Sequence, residues 1–284
     1  MTARTLVQPL FDGPVDIVGD VHGCLEELRI LMGHLGYDAS GTHPEGRRLV
    51  FLGDLTDRGP DNEGVVRLVK GLVEGWAQCI LGNHEFNLLL RSRKPENGWF
   101  FGEPREGEKA ADEAVRAMVL EFFATLPLAL ERPDLRVIHA CWEEKMLALA
   151  RQATCALTLH DEQRQAIERS FEGRSLDRID QGLERQNKNP VKLLISGPEA
   201  RVAVPFVAGG KERWEDRVRW WEDYQPETRC IFGHYALKRS QHRSTRRAVC
   251  IDFGLCYRGE DRALAAARFP EKQLIFHDGQ RQAL

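Results

Sequence analysis

The sequence predicts an α/β protein, because short apolar strands alternate along the chain with amphipathic helical segments. Apolar runs bounded by turn-forming residues are typical of buried strands, and they recur throughout the sequence. Strands that alternate with helices in this way indicate an α/β fold. At 284 residues the chain is long enough to bury a large core, and we expect one domain spanning residues 1–284.

Six segments carry the strand pattern, and each ends in glycine or directly in a polar residue. In chain order they are VDIVGDVHG (15–23), RLVFLGDLTDRG (48–59), AQCILGNHE (77–85), LRVIHAC (135–141), RCIFGHY (229–235) and AVCIDFG (248–254). A glycine at the end of a strand lets the backbone turn sharply and approach a ligand closely. The polar residues at these strand ends are therefore candidates for a shared site.

Helical patterns occupy the segments between these strands. Residues 24–35 place leucines every three or four positions, and residues 62–73 repeat valines and leucines at the same spacing. Residues 108–126 are predicted to be helical up to the LPL motif. The charged segment 142–225, with breakers at NPVK and SGPEA, is predicted to form a helical insert between two strands.

Composition excludes several classes of function. The chain is 42% hydrophobic and 29% charged, with a formal net charge of −3. This balance argues against a protein that coats nucleic acid or an anionic membrane. We recognise no secretory leader and no membrane span. The seven cysteines include no CxxC pair and are expected to be reduced, as in a cytoplasmic protein.

Polar residues at the strand ends form one candidate metal site. They comprise two carboxylates, one amide and several imidazoles, namely Asp20, His22, Asp54, Asn83, His84, His139 and His234. Such donors suit divalent transition metals better than Ca²⁺ or Cu(I). A single metal rarely needs so many ligands, whereas two metals bridged by one carboxylate would use them all. We therefore expect a dinuclear centre.

The motifs GDVHG, GDLTDRG, GNHE, VIHA and FGHY resemble those of calcineurin-like metallophosphoesterases, specifically the phosphoprotein-phosphatase branch, and they occur in the family's order. The segment LGYDASGTHPEGRRLVFLGDLTDRGP is similar to bacterial symmetrical bis(5'-nucleosyl)-tetraphosphatases and small bacterial serine/threonine phosphatases. The resemblance implies a central β-sandwich flanked by helices. It also implies hydrolysis of phosphate esters or anhydrides by metal-bound hydroxide that attacks phosphorus.

The resemblance further implies how two metals are held. Asp20 and His22 would bind the first metal, Asp54 would bridge both, and the second would be completed by Asn83, His139 and His234. Manganese is the expected ion, with iron, zinc, cobalt and nickel as alternatives.

Three residues carry catalytic roles by the same resemblance. His84 would protonate the leaving oxygen, and Asp57 would hydrogen-bond His84 and favour its protonated form. Arg58 would hold the phosphoryl oxygens through its planar guanidinium. A simple ion pair at a turn is the alternative interpretation of Asp57 and Arg58.

Further substrate contacts are expected from the insert, where Arg201, Arg213 and Trp214 are the candidates. In RWEDRVRWWEDYQ, from Arg213 to Gln225, three apolar residues including Trp214 have helical spacing. This spacing predicts a helix packed on the core. The alternative is an aromatic lid that stacks on a nucleobase.

The sequence leaves the substrate open. A dinucleoside tetraphosphate such as diadenosine tetraphosphate is favoured by the closest resemblance, and it would make a nucleotide the small-molecule partner. A phosphoserine or phosphothreonine protein and a nucleic-acid end phosphate are the alternatives. A non-catalytic sensor of metal or nucleotide is disfavoured, because every motif residue that catalysis needs is present.

Overall fold

The computed structural model describes residues 4–208, 210–243 and 246–284. Its centre consists of two mixed β-sheets. The first sheet runs in the order β1 (Val7–Pro9), β5 (Ala129–Arg132), β6 (Leu135–Ile138), β9 (Arg229–Phe232) and β10 (Ala248–Cys250). The second runs in the order β13 (Arg281–Ala283), β12 (Gln273–Phe276), β11 (Ala265–Phe269), β2 (Val15–Val18), β3 (Arg48–Phe51) and β4 (Gln78–Cys79).

Eight α-helices accompany these sheets in the described part of the chain. They are α1 (Leu25–Leu35), α2 (Asn62–Gly75), α3 (Asn83–Leu89), α4 (Glu113–Ala124), α5 (Glu144–Ala150), α6 (Ala156–Arg169), α7 (Arg178–Asn187) and α8 (Pro190–Ser196). Of the helices that the structure describes, none is both long and apolar enough to span a bilayer.

Alternating strand residues divide the core into two parts. Ile17 and Val50 belong to a buried cluster that also contains Val137 and Ile231 from the other sheet. The neighbouring Val18 belongs instead to a larger cluster that includes residues of α1 and α2. Because successive side chains of a strand point to opposite faces, each sheet packs against its partner on one face and against helices on the other. The predicted β-sandwich flanked by helices is confirmed.

The six predicted strands are all present, as β2, β3, β4, β6, β9 and β10. The first two predicted helices correspond to α1 and α2, and the third corresponds to α4, which begins five residues later than the predicted start at residue 108. The strand pattern succeeds because most residues of these strands are buried, including those of β4 and β10 at the ends of their sheets, so the runs read as apolar.

The helix prediction for Arg213–Gln225 is wrong. The strands β7 (Glu199–Ala208) and β8 (Lys211–Arg217) form an antiparallel hairpin, so the last part of the insert is not helical. Pro205 lies where the register of this hairpin shifts, a position that suits proline in a strand and would disfavour a helix. Pairing with β7 therefore overrides the helical spacing of the tryptophans.

Candidate active site

Parallel strands bring the predicted site residues together. In the second sheet, β2 pairs in parallel with β3, and β3 pairs in parallel with β4. In the first sheet, β6, β9 and β10 are also parallel neighbours. The carboxyl ends of parallel strands meet at one edge of a sheet, which is where open α/β sheets bind ligands. The motifs that follow these strands therefore converge on a single place.

Asp54 lies where these strand ends converge and is shared by two groups of potential metal ligands. One group is His22, Asp54 and His84, and the other is Asp54, His139 and His234. Within each group the ligand atoms all lie within 4.8 Å of one another, and all five residues are buried. One carboxylate between two clusters of imidazoles is the arrangement expected of a bridging ligand.

The imidazoles around Asp54 also control its charge. Its Oδ1 lies 3.3 Å from Nε2 of His139, and its Oδ2 lies 3.7 Å from Nε2 of His22 and 3.8 Å from Nε2 of His84. Burial alone would raise the pKa of Asp54, but these three imidazoles hold it well below its usual range. The central carboxyl group is therefore ionised, as a metal ligand must be.

Asn83 links the two histidines of the second group. Its Oδ1 lies 3.1 Å from Nε2 of His139 and 2.7 Å from Nδ1 of His234. The other nitrogen of His139, Nδ1, donates to the carbonyl oxygen of Leu52 at 2.7 Å. That bond orients the ring so that Nε2 faces the cluster, a common way of fixing a metal-binding imidazole.

His22 is oriented in the same manner, and Arg58 lies directly beside it. Nδ1 of His22 lies 2.9 Å from the carbonyl oxygen of Thr56, and Nη1 of Arg58 lies 2.7 Å from Nε2 of His22. The guanidinium of Arg58 also lies 5.3 Å from the centre of the Tyr257 ring. Arg58 thus stands at the edge of the first ligand group, where it can meet an anion that approaches the metals.

His84 and Asp57 form a tight buried pair. Nδ1 of His84 lies 2.6 Å from Oδ2 of Asp57, and the other oxygen of Asp57 accepts a hydrogen bond from Nε1 of Trp99 at 2.7 Å. Burial lowers the pKa of His84, but the carboxylates of Asp54 and Asp57 outweigh it and raise the pKa above its usual value. This environment favours the imidazolium form that a proton donor requires.

Several site residues hold a backbone conformation that is uncommon for residues other than glycine. The φ angles are positive at His22, Asp54, Asp57, Arg58 and His234, between 47° and 73°. Such conformations cost about 1 kcal/mol or more each and cluster at functional sites, where the surroundings enforce them. Contacts with the surrounding structure therefore hold this backbone in conformations that its own residues disfavour.

Two glycines permit the close approach of the motif segments. Gly53 has a φ of 84°, and a Cβ there would lie 2.5 Å from the backbone nitrogen of Gly82. A Cβ on Gly233 would lie 2.0 Å from Oδ1 of Asp20. Both distances are too short for any side chain, so glycine is required where the strand ends meet.

Glu85 stabilises the strained turn after β3, a role that was not predicted from the sequence. Its two carboxylate oxygens accept hydrogen bonds from the backbone nitrogens of Asp54 at 2.7 Å, Leu55 at 2.8 Å and Gly82 at 3.0 Å. Burial and the nearby charge of Asp54 raise the pKa of Glu85 to about 7. The GNHE motif contained the residue, but its backbone partners became visible only in the structure.

Asp20 and Asp252 bring further carboxyl groups to the cluster. Burial, together with the charges of Asp252 and Asp54, raises the pKa of Asp20 well above its usual range. Asp252 accepts from the backbone nitrogens of Ala236 at 2.6 Å and Gly254 at 2.8 Å. No role was predicted for Asp252, although it comes two residues after the end of β10, just as Asp20 comes two residues after the end of β2.

This donor set fits divalent cations. In the part of the chain that the structure describes, Oδ1 of Asp20 and Nε2 of His234 are buried without a hydrogen-bond partner. Crowded carboxylates that repel one another, with buried donor atoms left unpaired, are stabilised by a metal ion. Oxygen and imidazole ligands in this proportion suit first-row transition metals.

The three substrate candidates of the insert lie in different surroundings. Arg201 is exposed and forms ion pairs with Asp177 and Asp180. Trp214 is 38% exposed on β8, and its Nε1 donates to Glu212. Arg213 alone of the three lines a cleft that also contains Asn83 and His234.

The comparisons with known proteins agree with this geometry. A family model described as calcineurin-like phosphoesterase matches residues 13–148. A relative from Halalkalibacterium halodurans, named as an asymmetrical bis(5'-nucleosyl)-tetraphosphatase PrpE, is 31% identical over 273 residues and is matched over 92% of both chains. The chain therefore belongs to the calcineurin-like phosphoesterase family, and it is a metal-dependent phosphoesterase.

Two further proteins are similar to this chain over most of its length. A protein of the same name from Oceanobacillus iheyensis is 28% identical, with 92% of this chain and 90% of the relative covered. A crystal structure described as a candidate diadenosine tetraphosphatase covers 97% of both chains with a TM-score of 0.57 and 24% identity, which shows a shared fold. The relatives are named asymmetrical, whereas the sequence motifs led us to expect the symmetrical type.

Proposed function

We propose that this protein hydrolyses dinucleoside tetraphosphates at a dinuclear metal centre. The observation that carries the proposal is the position of Asp54 between two buried groups of imidazole ligands, with the His84–Asp57 pair beside it. The names of the relatives matched over most of the chain support the choice of a nucleotide substrate.

Two divalent cations, which we expect to be manganese, would be held by the residues at the strand ends. Asp20 and His22 would contribute to one position, and Asn83, His139 and His234 to the other, with Asp54 common to both. When bound, these ions would supply Lewis-acid stabilisation of the phosphoryl oxygens and a water of lowered pKa.

His84 would donate a proton to the leaving oxygen of the substrate. It hydrogen-bonds Asp57, and Asp57 in turn accepts from Trp99, so the imidazole has one orientation. The proton would leave from Nε2, because Nδ1 is occupied by Asp57. Asp57 would then stabilise the imidazolium form between turnovers.

Arg58 would bind the phosphoryl group that is attacked. Its guanidinium lies at the edge of the first ligand group, and its planar set of donors matches phosphate oxygens in a bidentate manner. An incoming phosphoryl group offers this guanidinium a stronger partner than the neutral imidazole of His22.

A direct comparison of substrates tests the proposal. Manganese-loaded protein is given diadenosine tetraphosphate and a phosphothreonine peptide in parallel, and the nucleotide products are separated. We expect the dinucleotide to have a kcat/KM higher by orders of magnitude, with AMP and ATP as products of asymmetrical cleavage. A preference for the peptide would instead identify a protein phosphatase, and two molecules of ADP would identify symmetrical cleavage.

The metal is tested by reconstitution. Metal-depleted protein is loaded in turn with manganese, iron, zinc, cobalt or nickel, and bound metal is measured together with turnover. We expect two ions per chain and the highest turnover with manganese. Metal binding without turnover of any phosphate compound would support the sensor alternative.

A further inference from the structure

A cleft of about 340 Å³ lies next to the metal-ligand residues Asn83 and His234. Residues of α3 and α8 line it, together with residues of the β7–β8 hairpin. The three residues of the first ligand group, His22, Asp54 and His84, do not belong to its lining. The cleft therefore extends from the metal site on one side only.

The lining of this cleft is strongly cationic. It contains four cationic side chains, Lys94, Lys192, Arg213 and Arg217, and one acidic side chain, Glu199. The whole protein has a formal net charge of −3, so this concentration of positive charge is not a property of its surface in general. A cleft of one sign of charge attracts and concentrates ligands of the opposite sign.

Of these four cationic residues, Lys192 gives the strongest indication that the cleft binds an anion. It lies partly buried on α8, and in the described part of the chain its Nζ forms no ion pair within 4.0 Å. Burial lowers the pKa of Lys192, the nearby carboxylate of Glu199 opposes this shift, and the charge of Lys94 adds to it. Removing an ammonium group from water without a carboxylate in direct contact is costly, and a bound anion would compensate for that cost.

The two arginines of the cleft are positioned by the hairpin. Nη1 of Arg217 donates to the backbone oxygen of His234 at 3.2 Å, and its guanidinium lies 5.7 Å from the centre of the Tyr235 ring. Arg213 forms an ion pair with Glu215 at 3.5 Å, which is long for a hydrogen bond. Both guanidinium groups retain donors for a ligand, because each has five N–H groups.

The base of the hairpin is tied to the rest of the insert. The side-chain amide of Asn187 makes two hydrogen bonds with the backbone of Glu199, at 2.7 and 2.9 Å. Gln186 donates to the carbonyl oxygen of Gly197 at 2.8 Å. These bonds hold the first residue of β7 against the end of α7, and β7 pairs with β8, the strand that carries both arginines.

We propose that this cleft binds the phosphate groups of the substrate that lie beyond the attacked phosphorus, with Lys192 as the main contact. The proposal rests on the proposed function, since it concerns the same polyphosphate substrate. The excess of cations matches the several negative charges of a phosphate chain. Because the cleft lies on one side of the metals, it would hold the longer part of the chain and lead to unequal products.

Kinetics with two substrates tests the proposal. Diadenosine tetraphosphate would reach the cleft, whereas para-nitrophenyl phosphate, with one phosphate group, would not. For Lys192→Met we expect kcat/KM to fall roughly tenfold with the dinucleotide and less than twofold with the aryl phosphate. Equal losses with both substrates, or no loss with either, would contradict a phosphate-binding role.

A matched control and a second variant complete the test. Lys145→Met removes an exposed lysine of α5 that lines a different cavity, and we expect it to leave both substrates within twofold of the unsubstituted protein. Lys94→Ala replaces an exposed cleft residue, so folding is not at risk. It should lower kcat/KM several-fold with the dinucleotide only, and it decides the question if Lys192→Met fails to fold.

Binding of inorganic tripolyphosphate separates this proposal from the proposed function. Calorimetry at one fixed metal concentration compares tripolyphosphate with orthophosphate for the unsubstituted protein and Lys192→Met. We expect the Kd for tripolyphosphate to rise roughly tenfold in the variant, and the Kd for orthophosphate to change little. If this holds while the dinucleotide is not hydrolysed, the cleft stands and the nucleotide substrate is wrong. If the dinucleotide is hydrolysed and both Kd values are unchanged, the cleft assignment is wrong.

Discussion

The strand-end site and the insert, residues 142–225, present functional residues in opposite ways. At the strand ends, Asp54, His84 and His139 are buried and surrounded by hydrogen-bond partners. In the insert, Arg213 and Trp214 are exposed on a hairpin. A buried strand end dictates where its side chain points, whereas a hairpin residue depends on how the hairpin packs. Motifs are therefore informative in the first region and much less so in the second.

Removing the shared carboxylate is expected to have the largest effect. Asp54→Asn replaces the charge between two groups of imidazoles, so at least one metal should be lost and turnover should fall about a thousandfold or more. Metal content and kcat are measured together. Asp134→Asn is the control, because Asp134 is exposed and forms an ion pair with Arg132 at the surface. Full metal occupancy in Asp54→Asn would contradict the bridging role.

His84→Ala should separate catalysis from metal binding. Loss of a proton donor lowers turnover by about a hundredfold to ten-thousandfold, while the other ligand residues keep both metals. The measurement is kcat for the dinucleotide beside metal analysis of the same preparation. Loss of metal in this variant would show that His84 acts as a ligand, as its place in one of the two ligand groups would allow.

Glu85→Gln tests what supports the strained backbone. Three backbone N–H groups donate to the carboxylate, and an amide has only one oxygen, so at least one donor would lose its partner. We expect the free energy of unfolding to fall by about 2 kcal/mol, measured by urea denaturation. An unchanged midpoint would mean that other contacts hold the turn after β3.

Trp99→Phe should have a smaller effect, confined to orientation. It removes the hydrogen bond to Oδ1 of Asp57 and keeps an aromatic ring in the core. We expect turnover to fall about tenfold with metals retained. Trp76→Phe, at a residue that is 73% exposed, is the matched control. A loss no greater than that of the control would show that Trp99 does not help to orient the Asp57–His84 pair.

The smallest effects on kcat/KM are expected from substitutions in the insert, where Arg213 is compared with Arg201. Arg213 lines the cleft beside the metal site, whereas the guanidinium of Arg201 is held by Asp177 and Asp180. Arg213→Ala should lower kcat/KM for the dinucleotide several-fold, and Arg201→Ala should lower it less. The reverse order would show that the hairpin presents its other face to the substrate.

Sequence alone determined the parts of this protein that local chemistry specifies. The six strands that lead to the site were predicted because apolar runs mark buried strands wherever they occur. The seven strand-end residues were predicted to form a metal site because metal ligands are particular residue types, and the structure brings these residues together. Roles were also predicted for Asp57 and Arg58, which lie within five residues of Asp54 in the sequence.

Tertiary structure decided what depends on partners distant in the chain. Asp16 resembles an ordinary strand residue, yet it is fully buried, and it is held by Arg47 and by Arg268, its neighbour on the adjacent strand. Trp99 and Glu85 have their roles through residues more than 25 positions away. The β7–β8 hairpin is set by strand pairing and not by the spacing of its own tryptophans. Pairing and burial act across the fold, so no local pattern records them.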